Sequence, residues 1–314
     1  TAVALAVKAA HVDFIAAYPI TPQTTISEKL AAYDARGELP GNYLTVESEH
    51  SVLSAVASAS AAGARTFTAT SSQGLLYMHE IVHYAAGGRL PIVMVNVNRA
   101  VNAPWCLYAD HQDSVSQRDT GWIQFHCASH QEIYDSIFLA YKVAEKVSIP
   151  VMVNYDGFLL SHSMLPFETL DQETIDRFLP PFEPEWKLHP QWGGTFANVA
   201  AAAEYAAYRN KLAQDTLDSA QVIVEAAEEY RQLTGRWHGD LLEVEGLEDS
   251  DVFLFSMGSM ASEMAMAAQC LREQGIKAAN IRLRVFRPFP GEALKALLPE
   301  GSKLLIFDRN IAYG

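Results

Sequence analysis

The sequence predicts an α/β protein built around a parallel sheet. Short apolar runs alternate with helical stretches of about a dozen residues, the order that sets parallel strands side by side with helices over both faces. The apolar runs are continuous rather than interleaved with polar residues, as strands buried on both faces require. A length of 314 residues with 49% hydrophobic content is enough for about two cores.

Taken in order, Val12–Ala17 is a short buried strand, followed by the turn Tyr18-Pro19-Ile20-Thr21-Pro22. Its two prolines fix the backbone and push the residue before each of them away from helix. Thr25–Asp34 reads as a helix with Thr24 or Thr25 as N-cap, and Tyr43–Val46 as a strand. Glu49–Ala62 is a helix rich in small residues that stops at Gly63. Thr66–Thr70 is a strand, 71–74 a loop, Leu75–Ala86 a helix closed by Gly87-Gly88, and Ile92–Val97 a strongly apolar strand. Gln131–Lys146 is a helix and Val151–Tyr155 a strand. Residues 164–196 carry five prolines and read as a linker or an arm wrapping another surface. Asn198–Leu233 is a long helical stretch, either a hairpin or a connecting helix. Strands at Asp251–Ser256, Ile281–Val285 and Lys303–Phe307, with a helix over Ser262–Gln274, form a second, smaller α/β unit.

The expected domains are therefore 1–165, a linker and helical connection over 166–245, and 246–314. The chain begins at Thr1 in what reads as mid-helix and ends at Gly314 just after a strand, so residues are expected to be missing at both ends.

A net charge of −14 leaves no basic face of the kind nucleic-acid binders carry. No apolar run reaches the roughly 20 residues that span a bilayer, and no signal peptide is visible, so a cytoplasmic enzyme is expected. Cys106, Cys127 and Cys270 form no CxxC pair, so the usual ligand patterns for zinc or an iron–sulfur cluster are absent. Three reduced thiols buried as small hydrophobes are the simpler reading.

Four segments of the first half carry candidate chemistry. The turn 18–22 places Thr21 just past a parallel strand, where open α/β sheets bind ligands; a rigid connection is the plainer alternative. In Val46-Glu47-Ser48-Glu49-His50 either glutamate is a charge at a helix N-terminus or a general acid/base in an apolar site. Thr70-Ser71-Ser72-Gln73-Gly74 offers hydroxyls and helix-start amides to an anion, or simply caps its helix. Arg99 follows the strongest strand, where a guanidinium can grip a carboxylate in bidentate fashion or face solvent. The loop Asp110-His111-Gln112-Asp113-Ser114 admits a metal site, but such polar loops more often satisfy their own hydrogen bonds, so no metal ligand is assigned.

Together these segments are specific. Tyr-Pro-Ile-Thr-Pro, Glu-Ser-Glu, Thr-Ser-Ser-Gln-Gly-Leu, Asn-Arg-Ala, Asp-His-Gln-Asp, Asp-Thr-Gly-Trp and Tyr-Asp-Gly-Phe, in that order, resemble the first domain of pyruvate:ferredoxin oxidoreductases and related 2-oxoacid:ferredoxin oxidoreductases. Ser256-Met257-Gly258-Ser259 and Arg284-Val285-Phe286-Arg287-Pro288-Phe289 resemble the second domain, while 165–245 carries little of the likeness.

The resemblance implies an α-type subunit with a domain that binds the pyrimidine side of thiamine diphosphate, followed by a smaller domain like the transketolase C-terminal domain. It implies that Glu49 contacts the pyrimidine ring, with Glu47 the less favoured candidate. Ser72, Gln73 and Tyr18 are the other cofactor-side residues it implies. Thr21 and Arg99 are implied on the substrate side, Arg99 binding the substrate carboxylate. Trp105, just beyond Arg99, stacks on an aryl substrate or merely packs.

Thiamine enzymes usually hold diphosphate and magnesium with a Gly-Asp-Gly segment, and this chain has none: Asp156-Gly157 lacks the preceding glycine and Gly239-Asp240 the following one. The resemblance therefore implies a β-type partner that holds the magnesium and shares the cofactor, with 4Fe–4S clusters on partner subunits, including ferredoxin-like γ and δ subunits. The implied reaction, typical of anaerobic metabolism, is oxidative decarboxylation of a 2-oxoacid with coenzyme A, giving acyl-CoA, carbon dioxide and reduced ferredoxin or another reduced acceptor. Pyruvate is the expected substrate; an aryl or branched-chain 2-oxoacid such as phenylglyoxylate is the alternative. A cluster-free transketolase- or dehydrogenase-type enzyme and a non-catalytic subunit are the competing readings. The run Phe125–His130 is unusual beside the acidic and amide residues that the resemblance implies at that place, and has no evident reason.

Overall fold

The computed structural model describes residues 1–191, 193–311 and 313. After helix α1 (Ala2–Ala9) come β1 (Phe14–Ala17), α2 (Thr24–Ala35), β2 (Asn42–Thr45), α3 (Glu49–Ala61) and β3 (Thr66–Thr70). Next are α4 (Gln73–Tyr77), α5 (His79–Gly87), β4 (Val93–Asn98), α6 (Gln112–Val115), β5 (Ile123–Cys127), α7 (His130–Val147) and β6 (Val151–Asp156). Then follow α8 (Gln172–Phe178), α9 (Ala202–Thr234), β7 (Leu242–Glu245), β8 (Val252–Met257), α10 (Met260–Glu273), β9 (Ala278–Leu283), β10 (Val285–Arg287), α11 (Gly291–Leu297) and β11 (Lys303–Ile306).

Seven strands form the main sheet in the order β10-β5-β6-β4-β3-β1-β2, and four form a second sheet, β11-β8-β9-β7. The central pairs are parallel, as the uninterrupted apolar runs predict, and β3, β4 and β6 are buried along their whole length. Antiparallel strands close one edge of each sheet, β10 on β5 and β7 on β9. The main core lies between the first sheet and α1, α3, α5, α7 and α9; two smaller apolar clusters cover the second sheet.

Several elements differ from the sequence expectation. The helix expected over Leu75–Ala86 breaks at buried Met78 into α4 and α5. The long stretch after 198 is one helix of 33 residues rather than a hairpin, spanning about 50 Å at 1.5 Å per residue. Its first turns are exposed all round, and packing begins near Leu212. The surface wrapped by the proline-rich arm is the chain's own first half: Leu188 donates to the Ala61 carbonyl, and Arg65 and Lys142 donate to the carbonyls of Pro180 and Phe178. The arm also contains α8, capped by the Asp171 carboxylate on the Thr174 amide.

Strand β5 is the element the pattern concealed. Gln124 and His126 break its apolar run, yet the whole strand is buried because the second half of the chain folds over that face. The run 125–130 thus has a structural reason: it carries β5 and the start of α7. Two buried charge clusters fix the second half there. Glu132 at the start of α7 accepts from Arg282 (2.8 Å) and Arg284 (2.9 Å). His111 and Asp156 pair at 2.6 Å, and the other Asp156 oxygen takes the Ser259 amide (2.8 Å) and the Arg309 guanidinium (3.2 Å).

Candidate functional site

The expected site residues leave four neighbouring strands at one edge of the main sheet. Thr21 follows β1, Glu49 opens α3 after β2, Ser72 and Gln73 follow β3, and Arg99 follows β4. The chain crosses from β2 over β1 to β3, so strand order reverses beside β1; a crevice at the carboxyl ends is expected at such a point.

Arg99 is the organising side chain. It is 3% exposed, donates from Nη1 to the Thr21 carbonyl at 2.6 Å and from Nη2 to the Gln73 side-chain oxygen, and leaves Nε without a partner. Burial pulls its guanidinium below the ordinary arginine range, opposed by the charges of Asp113 and Glu49. Trp105 lies over it, 5.8 Å from guanidinium carbon to ring centroid, within cation–π reach. Trp105 is itself 71% exposed, so it is not core packing.

Thr21 reaches the cluster through its backbone carbonyl; its side chain is exposed. Gln73 is held by Arg99, by the Ser72 hydroxyl (2.8 Å) and, through its amide, by Asn102 (2.5 Å). Ser72 is fully buried with φ +46 and ψ −114, a conformation rare outside glycine that a tightly bonded loop must hold. Tyr18 is half-buried against the main core, with no hydrogen bond from its hydroxyl among the described residues.

The two glutamates separate cleanly. Glu47 is exposed and accepts from the Ser51 hydroxyl, which holds its carboxyl below the usual range. Ser48, not a glutamate, caps α3 through the Ser51 amide. Glu49 is 9% exposed and has no hydrogen-bond partner among the described residues. Its carboxylate is therefore free to pair with a group from outside the chain. Gly74 keeps space there: a Cβ at that position would stand 2.7 Å from Glu49 Oε1 and 2.5 Å from Thr70 Oγ1. The Thr70 hydroxyl is also buried and unpartnered. The Glu49 carboxylate and the Thr70 hydroxyl thus pack directly against the Gly74 backbone and can offer hydrogen bonds to a nitrogen-bearing ring.

Sequence reasoning missed the residue that ties these loops together. Asp113 is fully buried and accepts five N–H donors: the Ser72 amide (3.1 Å), Asn96 (3.2 Å), Asn98 (2.8 Å), the Arg99 amide (3.2 Å) and the Ser114 amide (2.7 Å). Burial pushes its carboxyl up against the pull of those donors. The signal was available: asparagines at 96, 98 and 154 interrupt otherwise apolar strands, and Asn96 and Asn154 face each other in register at 3.2 Å. The loop 110–114 does not simply satisfy itself. Asp113 turns inward to two strand ends, and His111 pairs with Asp156. Among the described residues no three His, Cys, Asp or Glu side chains gather as for a metal ion.

Residues 5–230 match the family of pyruvate flavodoxin/ferredoxin oxidoreductases in its thiamine-diphosphate-binding region, and residues 250–314 match pyruvate:ferredoxin oxidoreductase core domain II. The chain is 44% identical over 319 residues to the ketoisovalerate oxidoreductase subunit VorA of Pyrococcus abyssi, covering 100% of this chain and 80% of that protein. It is also 44% identical over 314 residues to the pyruvate synthase subunit PorA of Methanothermobacter thermautotrophicus, covering 99% and 82%. In fold it is similar to 2-oxoglutarate:ferredoxin oxidoreductase from Magnetococcus marinus, with TM-score 0.70 and 20% identity, over 98% of this chain and 61% of that one. A split-gene transketolase matches at TM-score 0.53 and 14% identity, over 97% and 78%.

Proposed function

The chain belongs to the pyruvate flavodoxin/ferredoxin oxidoreductase family, and from that membership we propose that it is the α subunit of a complex that oxidatively decarboxylates a 2-oxoacid, passing electrons to ferredoxin and the acyl group to coenzyme A. The observation that carries the site assignment is the Glu49 carboxylate, packed against the Gly74 backbone with no hydrogen-bond partner among the described residues and near enough to Arg99 for its charge to act on the guanidinium.

Thiamine diphosphate supplies the carbon nucleophile and the electron sink. The chain's own residues bind and orient. Glu49 would share a proton with a pyrimidine nitrogen of the bound cofactor, its carboxylate placed by packing against Gly74 and Thr70. Arg99, steered by Gln73 and the Thr21 carbonyl, supplies the positive charge for the substrate carboxylate. Ser72 keeps the loop in place, and Thr21, Trp105 and Tyr18 border the substrate and cofactor ends. The absence of a Gly-Asp-Gly segment and of paired cysteines supports a β-type partner carrying diphosphate, magnesium and a cluster, with ferredoxin-like γ and δ subunits completing the wiring. No helix among the described residues is long and apolar enough to cross a membrane, which is compatible with a cytoplasmic complex.

Pyruvate is the first substrate to test. A branched-chain 2-oxoacid is the second, favoured by the equal 44% identity to ketoisovalerate and pyruvate enzymes. Steady-state comparison of pyruvate, 2-oxoisovalerate and phenylglyoxylate on the assembled complex separates them. In the same complex, Glu49→Gln is expected to lower kcat by about 100- to 10,000-fold, the span of general acid–base catalysis. Unchanged turnover would instead support a non-catalytic subunit, and a complex free of iron would support a cluster-free thiamine enzyme.

A further inference from the structure

Arg99 is a buried cation with no carboxylate bonded to its guanidinium among the described residues; its hydrogen bonds there run to a carbonyl and an amide oxygen. The anion on its own backbone amide is Asp113, at 3.2 Å; with Glu49 it is one of two carboxylates whose charge acts on the guanidinium, and the one fixed to the Arg99 backbone. The same carboxylate holds the Ser72 amide on the cofactor-side loop and two asparagines on β4. All five of its contacts are N–H donors, so the cage fits a carboxylate and not a carboxylic acid.

We propose that Asp113 is a positioning residue for the reaction: its carboxylate clips the Arg99 and Ser72 loops together and, as the counter-charge of Arg99, weakens the grip on the substrate carboxylate. The second role matters because a 2-oxoacid that loses carbon dioxide loses the charge Arg99 holds. A bare buried guanidinium stabilises the bound substrate more than the transition state, which slows the step. A nearby anion reduces that imbalance. The inference rests on the assignment of Arg99 to the substrate carboxylate made above.

The test uses the assembled complex with the 2-oxoacid it turns over best, and a double-variant cycle between Asp113 and Arg99. Asp113→Asn keeps an oxygen for the Ser72 and Arg99 amides, and Asn98 can turn its unpartnered side-chain oxygen to the new amide. Its charge is lost while most of the clip stays. KM is expected to fall by about threefold and kcat by about tenfold, the paired loss that marks relief of ground-state strain. Asp113→Ala removes the clip as well and is expected to raise KM. In an Arg99→Met background, Asp113→Asn is expected to change KM no further.

A rise in KM for Asp113→Asn as large as for Asp113→Ala, or additive effects in the cycle, would overturn the proposal and leave Asp113 merely structural. If Arg99→Met leaves KM unchanged, the assignment of Arg99 fails instead. Should Asp113→Ala not fold, the Asn variant and the cycle still decide.

Discussion

Position 74 admits a glycine and little else. A methyl group there meets Thr70 Oγ1 at 2.5 Å and Glu49 Oε1 at 2.7 Å, and the glutamate is the one that can swing away. Gly74→Ala is therefore expected to leave the fold intact but displace the Glu49 carboxylate, lowering kcat of the complex by about tenfold or more, since misplacing an acid–base group forfeits much of its contribution. Circular dichroism together with steady-state rates checks this: a folded variant with unchanged kcat would remove Glu49 from the reaction. At this scale the sequence was informative about residue type and silent about pairing. The residue types left Glu47 and Glu49 open and the motif resemblance favoured Glu49; the side-chain environments differ in the same sense, with Glu47 exposed and bonded to Ser51 and Glu49 nearly buried without a partner among the described residues.

Among the elements, α7 shows how the two halves of the chain are joined. Its first turn carries Glu132, 1% exposed, bonded to Arg282, Arg284 and the Ala128 amide. The two guanidiniums hold its carboxyl below the usual range despite burial. Glu132→Ala leaves two nearly buried arginines without their shared anion, and a loss of about 3–5 kcal/mol is expected, the range for breaking a buried pair by removing one partner. Denaturant unfolding measures it; a change under 1 kcal/mol (about a fivefold shift in the folding constant) would mean that water replaces the carboxylate. None of this was legible in the sequence, because Glu132 and Arg282 are 150 residues apart. Strand β5 went unread for the same reason: Gln124 and His126 interrupt its apolar run, and distant parts of the chain bury them.

At the scale of the molecule, the boundary between the main sheet and the second half is a polar, titratable interior. His126 is fully buried with both ring nitrogens unpartnered, edge-on to His111 at 5.3 Å and to Phe286 at 6.1 Å. Burial and the His111 charge hold its imidazole well below the ordinary value, so the folded chain keeps it neutral. The unfolded chain binds the proton near pH 6.5, so the titration of this histidine contributes nothing above that pH and opposes the native state increasingly as pH falls. His111 behaves oppositely: Asp156 raises its proton affinity, and that contribution is lost as pH rises through the raised value. Comparison with His126→Leu isolates the first effect. Wild type is expected to lose up to about 1.4 kcal/mol per pH unit relative to the variant below pH 6.5, read from unfolding midpoints between about pH 5 and 8. Parallel curves would mean that His126 is protonated in place.

What the sequence determined by itself was everything with a local cause. Apolar runs and helical periods set the order of strands and helices, prolines and glycines set their ends, and the ordered motifs pointed to the family and to Thr21, Glu49, Ser72, Gln73 and Arg99. Tertiary structure alone decided which of those side chains meet. Arg99 joins Thr21 and Gln73 because β1, β3 and β4 are neighbours in the sheet, an order that hydropathy does not encode. It also decided that Asp113, unremarkable in its loop, is the anchor of the crevice, and that histidines and arginines from both halves share one interior. Such contacts arise from long-range burial, where desolvation makes each unpaired polar group costly and so fixes its partner, however far away in the chain that partner lies.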